Sequence, residues 1–331
     1  MAKPLDIDYL HISTRLRVME KQMLTHDKLI RLLNCKADED MLKLLCENGW
    51  QPFDIRSSAQ LEEQISQRRN ELFSLLADYL PDAAILDVFR LKYDYHNLKS
   101  LIKANALGIE SEHLLSASGT ISSAEAKAAV NEKAYSRLPQ IMAESAEQAA
   151  ETLARTGDPQ LCDMILDKAQ AKQMLSLAEK SESEFLAGYI RLSIDLDNLR
   201  ILCRCALAKK GLDFIGRALL EGGNIDCRNV KEANTDVILA LFDHGITANA
   251  AQTAAGAIGE KTGLAPVDLA CDNTLISYLK GSRLIPFGDA TVIAHILATE
   301  SQLTAVRSIV SGKVAGVDEQ KIAERLRMSY V

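Results

Sequence analysis

An all-α protein built from three similar multi-helix domains is the architecture this sequence predicts. Three observations carry the prediction. Helix signals follow one another with short breaks, and no segment alternates apolar and polar residues long enough for a half-buried strand. A helical motif recurs 101 residues after its first appearance. The chain's 331 residues also exceed the roughly 250–300 residues at which one hydrophobic core stops growing, so two or three packing units are expected.

Taken in order, the elements declare themselves by their ends. Ser57 with Gln60, and Ser122 with Glu125, have the spacing at which each side chain satisfies an orphan amide at a helix start. They predict helices near 58–79 and 123–133. Pro81 and Pro159 follow breaks and suit a first helical turn, the latter after Asp158 as N-cap. Gly108 and Gly211 are expected to close the long helices that follow. A last apolar stripe, Ile296, Leu303, Val306 and Val310, begins after Asp289 and runs to Gly312.

The repeat is the most informative feature. RLKYDYHNLKSLIK from Arg90 returns as RLSIDLDNLRILCR from Arg191, with Arg, Leu, Asp, Asn, Leu and Leu identical. Lys99/Arg200 and Lys103/Arg204 match in charge. A degraded third copy, ATESQLTAVRSIVSG, places Arg307 in register with Arg200 and lacks the Asp and Asn. The period is far longer than that of a helical-hairpin solenoid, so each repeat should be a small domain. The expected division is 1–110, 111–213 and 214–331.

Within each full copy the aspartate lies in an apolar stripe. Val88, Leu91, Asp94, Leu98 and Leu101 step by three or four residues, as do Tyr189, Leu192, Asp195, Leu199 and Leu202. A carboxylate there must be desolvated and paired, and Arg90 or Arg191 four residues earlier, or a group on a neighbouring helix, could supply the partner. Asn97 and Asn198 can complete the network. Arg90, Asp94, Asn97 and Lys99, with Arg191, Asp195, Asn198, Arg200 and Arg307, are therefore the candidate residues of a helix-packing clamp. Direct contact with a partner is the competing reading.

Composition bounds the function. A formal charge of −7 repels phosphate backbones and anionic headgroups, which disfavours nucleic acid and direct lipid adsorption and leaves a protein partner as the default. Seven cysteines without a CxxC pair read as reduced, cytosolic thiols. Charges at Lys3, Asp6, Asp8, Arg15 and Arg17 leave no apolar stretch for a signal peptide. Nowhere do 18 apolar residues run together, so membrane association is expected to go through a partner.

No reactive constellation emerges, and no cofactor is expected. GAIGEKTG, residues 256–263, has the parts of a phosphate loop in the wrong order, because Glu260 separates glycine from lysine. It reads as a helix connection. Asp195 and Asp197 lie roughly 200° apart on a helix and cannot chelate together. DDxxD, HExxH and GxSxG are absent. His96 reads as solvent-facing or satisfied by a neighbour, and Lys209 and Lys210 as cations offsetting a helix C-terminus.

Two segments carry a resemblance. FRLKYDYHNLKSLIKA, residues 89–104, resembles the motif helix of the C subunit of V/A-type ATPases, called the d subunit in the eukaryotic vacuolar enzymes. Residues 293–331, from IAHILATESQLTAVRS to LRMSYV, resemble that family's C-terminal segment. The resemblance implies a pseudo-threefold funnel of three helical wedges on the cytoplasmic face of a membrane. It implies a non-catalytic central-stalk protein whose partners are the proteolipid rotor ring and the D and F subunits of the shaft, and which passes torque between them. A helical-repeat adaptor unrelated to rotary ATPases is the alternative, and an all-α enzyme a third.

Overall fold

The computed structural model describes residues 4–331, and its regular elements are fifteen α-helices and five short 3-10 turns, with no strand among the described residues. Contacts divide the chain into two compact units. One joins the residues up to Pro81 with Phe242–Val331, and the other is Asp82–Leu241.

The first unit opens with α1 (Leu10–Glu20), α2 (His26–Asn34), α3 (Asp38–Glu47) and α4 (Ser58–Tyr79). Ser57 caps α4 by accepting the Gln60 amide at 3.3 Å, but the Gln60 side-chain carbonyl accepts from the Asp54 amide instead of closing the box. The second unit holds α5 (Ala84–Leu107), α6 (Ser123–Asn131), α7 (Gln140–Thr156), α8 (Pro159–Lys180), α9 (Glu184–Leu207) and α10 (Leu212–Ala218). Its last helix, α11 (Thr235–Phe242), reaches the first residue of the returning segment. At α6 the reciprocal box of Ser122 and Glu125 is complete, and Asp158 caps α8 through the Gln160 amide at 2.8 Å. The chain then completes the first unit with α12 (Ala248–Glu260), α13 (Ala265–Lys280), α14 (Asp289–Val314) and α15 (Glu319–Ala323).

Three expectations need correction. Pro81 stands outside α5, which starts at Ala84, where the Asp82 carboxylate accepts the Ala84 amide at 2.9 Å. A side-chain acceptor just past the proline decides the start. Gly211 does not close α9: Lys209 takes the left-handed cap at φ 51°, and Gly211, at φ −80°, precedes α10. Residues 256–260 are the last turns of α12 rather than a connection. Ala250, Ala251, Ala254 and Ala257 are buried on one face of that helix, and burial outweighs the weak helix propensity of its glycines.

Each unit has its own core. In the first, Leu32, Leu45, Leu61 and Ile65 pack with Val306 and Ile309 of α14; in the second, Leu91, Tyr95 and Leu98 of α5 pack with Met142, Ala146 and Leu166. A buried leucine contributes about 1.5–3 kcal/mol. Helix α5 packs on α6, α7 and α8, which follow it, whereas α14 packs on α1, α2 and α4, from the start of the chain. The sequence boundaries at 110 and 213 fall just after α5 and at the start of α10. Packing ties α5 to helices beyond the first of these boundaries.

Candidate functional site

The two carboxylates of the internal repeat are buried and hydrogen-bonded on both oxygens. On α5, Asp94 is 3% exposed. Its Oδ2 accepts the Thr120 amide at 3.0 Å and the Thr120 hydroxyl at 2.7 Å, and its Oδ1 accepts the Ile121 amide at 3.0 Å. One turn on, Asn97 pairs with the backbone of Ser116, donating to its carbonyl at 2.9 Å and accepting its amide at 2.8 Å. The two side chains thereby hold the loop 116–121 against α5.

Helix α9 repeats the arrangement. Asp195 accepts the Asn224 amide at 3.1 Å, the Asn224 side chain at 2.9 Å and the Ile225 amide at 2.9 Å. Asn198 exchanges both bonds with the backbone of Leu220, at 3.0 and 2.8 Å. Several donors on one buried carboxylate are the condition under which a charge can remain inside a protein. The neighbouring Cys227 feels it: burial first, then the charges of Asp195 and Asp226, push its thiol up to about 12, so it stays protonated.

Each held loop carries a glycine at the same point of the clamp. A Cβ on Gly119 would lie 2.1 Å from Asp94 Oδ1, and one on Gly223 would lie 2.1 Å from Asp195 Oδ1. Only hydrogen fits between loop and carboxylate. Sequence reasoning missed these residues, although Gly119-Thr120-Ile121 and Gly223-Asn224-Ile225 form a second recurring string. The second loop is three residues longer, which broke the fixed shift.

The arginines four residues before each aspartate do something else. Arg90 reaches past Asp94 to the loop carbonyls of Ser118 and Gly119, at 3.4 and 2.5 Å, while Arg191 pairs with Glu179 of α8 at 2.6 Å. In the first and third copies the motif's later cations link helices. Lys99 and Lys103 reach Asp167 and Asp163 of α8, and Arg307 of α14 holds Glu62 of α4 with two bonds of 2.6 Å. Arg200 bonds Asp197 on its own helix at 2.8 Å. His96 Nε2 meets the Leu114 carbonyl at 3.0 Å.

The third copy becomes legible through its helix ends. Gly108, Lys209 and Gly316 each take the left-handed cap, at φ 67°, 51° and 69°. The following amides, of Ile109, Lys210 and Val317, reach back five residues to the carbonyls of Ala104, Cys205 and Gly312 at 3.1, 2.9 and 2.9 Å. This register puts Gln302 where the other copies have aspartate. Gln302 Oε1 accepts the Leu24 amide at 3.0 Å, and the next residue, Thr25, caps α2. In the first copy, likewise, Asp94 holds Ile121 and the next residue, Ser122, caps α6. The third copy is thus closed by a segment lying 278 residues before its motif helix. Ala305 replaces the asparagine.

One stability test arises here. Lys209 is a non-glycine residue in the left-handed region, which costs about 1–2 kcal/mol, partly offset by the greater unfolded-state freedom of glycine. Lys209→Gly should stabilise the chain by about 0.5 kcal/mol. A denaturant midpoint at or below the parent's refutes it.

Among the described residues, no three His, Cys, Asp or Glu side chains gather to hold a metal, and no helix is long and apolar enough to cross a membrane. The arrangement ties backbone to helix; it does not present a reactive atom.

Comparison with known proteins gives a concordant result. The chain matches the model of the ATP synthase (C/AC39) subunit family over residues 12–325. It is similar to the C subunit of the V-type sodium ATPase of Enterococcus hirae, 22% identical over 98% of this chain and 99% of the relative. It is also similar to the C subunit of the A-type ATP synthase of Methanocaldococcus jannaschii, 20% identical over 96% of this chain and 86% of the relative. With the C subunit of the A-type ATP synthase of Halobacterium salinarum, 28% identity extends over 47% of this chain and 45% of the relative.

Proposed function

We propose, from the premise that this chain belongs to the ATP synthase (C/AC39) subunit family, that it is the non-catalytic central-stalk member of a rotary V/A-type ATPase. In this reading it joins the shaft, made of the D and F subunits, to the proteolipid ring on the cytoplasmic face of the membrane and passes torque between them. The three sequence repeats would form three wedges around a funnel that receives the shaft.

The observation that supports this reading is the repeated clamp. Torque transfer needs helices whose connections do not slide under load. Asp94 with Asn97 and Asp195 with Asn198 fix a loop to a long helix at two points each, with buried polar bonds on a close-packed core. In the third copy Gln302 does so at one point, and the Arg307–Glu62 pair adds a link from α14 to α4. The clamp residues are proposed to act through this rigidity rather than by touching ring or shaft.

Purification of the tagged full-length chain from native membranes in mild detergent tests the assignment. Ring and shaft proteins should elute with it, and crosslinks should reach both. Recovery with soluble partners only, and none of the rotary components, would support the adaptor reading instead. The purified chain should not hydrolyse ATP; turnover that follows it through purification contradicts a non-catalytic role.

A further inference from the structure

An open cleft of about 350 Å³ lies within the first unit, walled by α1, α4 and α14, in the range of small-molecule sites, about 300–1,000 Å³. Its charges are unusual for an acidic chain. Arg15 of α1 and Arg68 of α4 both line it. Each guanidinium lies over an aromatic ring, Arg15 at 5.3 Å from the centre of Tyr79 and Arg68 at 4.8 Å from that of Trp50. Neither makes an ion pair among the described residues. Arg68 spends one N–H on the Gly49 carbonyl, which leaves most of its five donors unused.

Neutral donors complete the wall. The Gln302 side-chain carbonyl is committed to Leu24, so its amide nitrogen remains to donate, and Gln22 and Thr299 add an amide and a hydroxyl. His295, 2% exposed, also lines the cleft, and its Nδ1 has no hydrogen-bond partner. The one carboxylate present, Glu71, accepts from Gln67 at 2.8 Å. The copies also differ here. In the shared register Thr299 stands where the first two copies have Leu91 and Leu192, both buried. A position that is core in two copies is polar, and opens on a cleft, in the third.

We propose that this cleft binds a small phosphate-bearing anion, held between Arg15 and Arg68. Burial holds the Arg68 guanidinium below its usual range despite the charge of Glu71, and an oxyanion would offset that cost while forming charge-assisted bonds with Arg68 and with the exposed Arg15. Donors converging from three helices suit a tetrahedral oxyanion, whose oxygens point in several directions, better than a carboxylate. The space beyond one phosphate leaves room for the organic part of a monoester. A free phosphate compound and a phospholipid headgroup offer the same chemistry.

Calorimetric titration of the full chain with inorganic phosphate and with glycerol phosphate, against chloride at matched ionic strength, tests the site. Flotation with phosphatidic acid in phosphatidylcholine vesicles distinguishes the lipid source. Saturable binding is expected to at least one probe, weakened about tenfold in Arg15→Gln and again in Arg68→Gln. Should Arg68→Gln unfold through loss of its stacking on Trp50, Arg15→Gln and Thr299→Val carry the test. No saturable binding to any probe, or equal binding by parent and folded variants, overturns the proposal. Loss of binding here leaves the rotary-ATPase assignment untouched, since co-purification reads that separately.

Discussion

Asp94→Ala and Asp195→Ala should each destabilise the unit that contains them by about 3–5 kcal/mol, the range for removing one partner of a buried charged network. Alanine leaves two backbone amides and a side-chain donor unanswered in each case: Thr120 and Ile121 in the first, Asn224 and Ile225 in the second. A buried unsatisfied donor costs about 1–3 kcal/mol, so three donors at the low end of that range already reach the same total. Hydrogen exchange locates the damage, because the amides of Thr120 and Ile121 should lose protection before the α5 amides do. Gly119→Ala should reproduce the defect from the other side by driving a methyl group into Asp94. The double variant should then cost clearly less than the two single losses combined, since both break one contact. Any loss of complex assembly should track the loss of stability. An Asp94 variant that melts with the parent yet fails to assemble would instead place the carboxylate at an interface.

Helix type and the starts of α4, α6, α8 and α14 were legible in the sequence, because caps such as Ser122 with Glu125 are local chemistry carried by residues three apart. That Asp94 and Asp195 would be buried and paired followed from their place in an apolar stripe. Their partners did not follow. A carboxylate has no way to announce that backbone amides 26 to 30 residues away will meet it, and backbone carries no sequence letter. Arginine was the visible candidate, yet Arg90 went to loop carbonyls and Arg191 to Glu179. Gly119 and Gly223 were the usable clue, hidden by a length change between the loops.

The third copy was harder for a topological reason. Its register was readable from Val306 and Arg307, and the left-handed caps at Gly108, Lys209 and Gly316 keep the same spacing. What closes it, Leu24 and the start of α2, lies at the other end of the chain, where no motif downstream of α14 could point to it. The first packing unit accordingly joins both ends of the sequence. Loop-closure entropy grows only slowly with separation, so such an arrangement is thermodynamically accessible.

The first unit should also lose stability on mild acidification, through His295. Burial, reinforced by the positive charge of Arg17, lowers its pKa from the usual 6.5 to about 4, so the ring is neutral in the folded chain at neutral pH. The other charged groups of the cleft that it lines are Arg15 from α1, and Arg68 with Glu71 from α4. Because the folded-state pKa is depressed, protons bind the unfolded chain more tightly. Stability attributable to this group is therefore complete above about pH 6.5 and declines as pH falls towards about 4, by roughly 3 kcal/mol in all. His295→Phe removes the titration while keeping an aromatic ring, so the parent's excess loss between about pH 6.5 and about 4 should vanish in the variant. Carboxylates elsewhere titrate in both proteins and cancel in that difference. Nuclear magnetic resonance of the His295 ring gives an independent reading. A midpoint near 4 is expected. A midpoint at the usual 6.5, or identical pH profiles for parent and variant, would show that water or an anion reaches the ring and screens it.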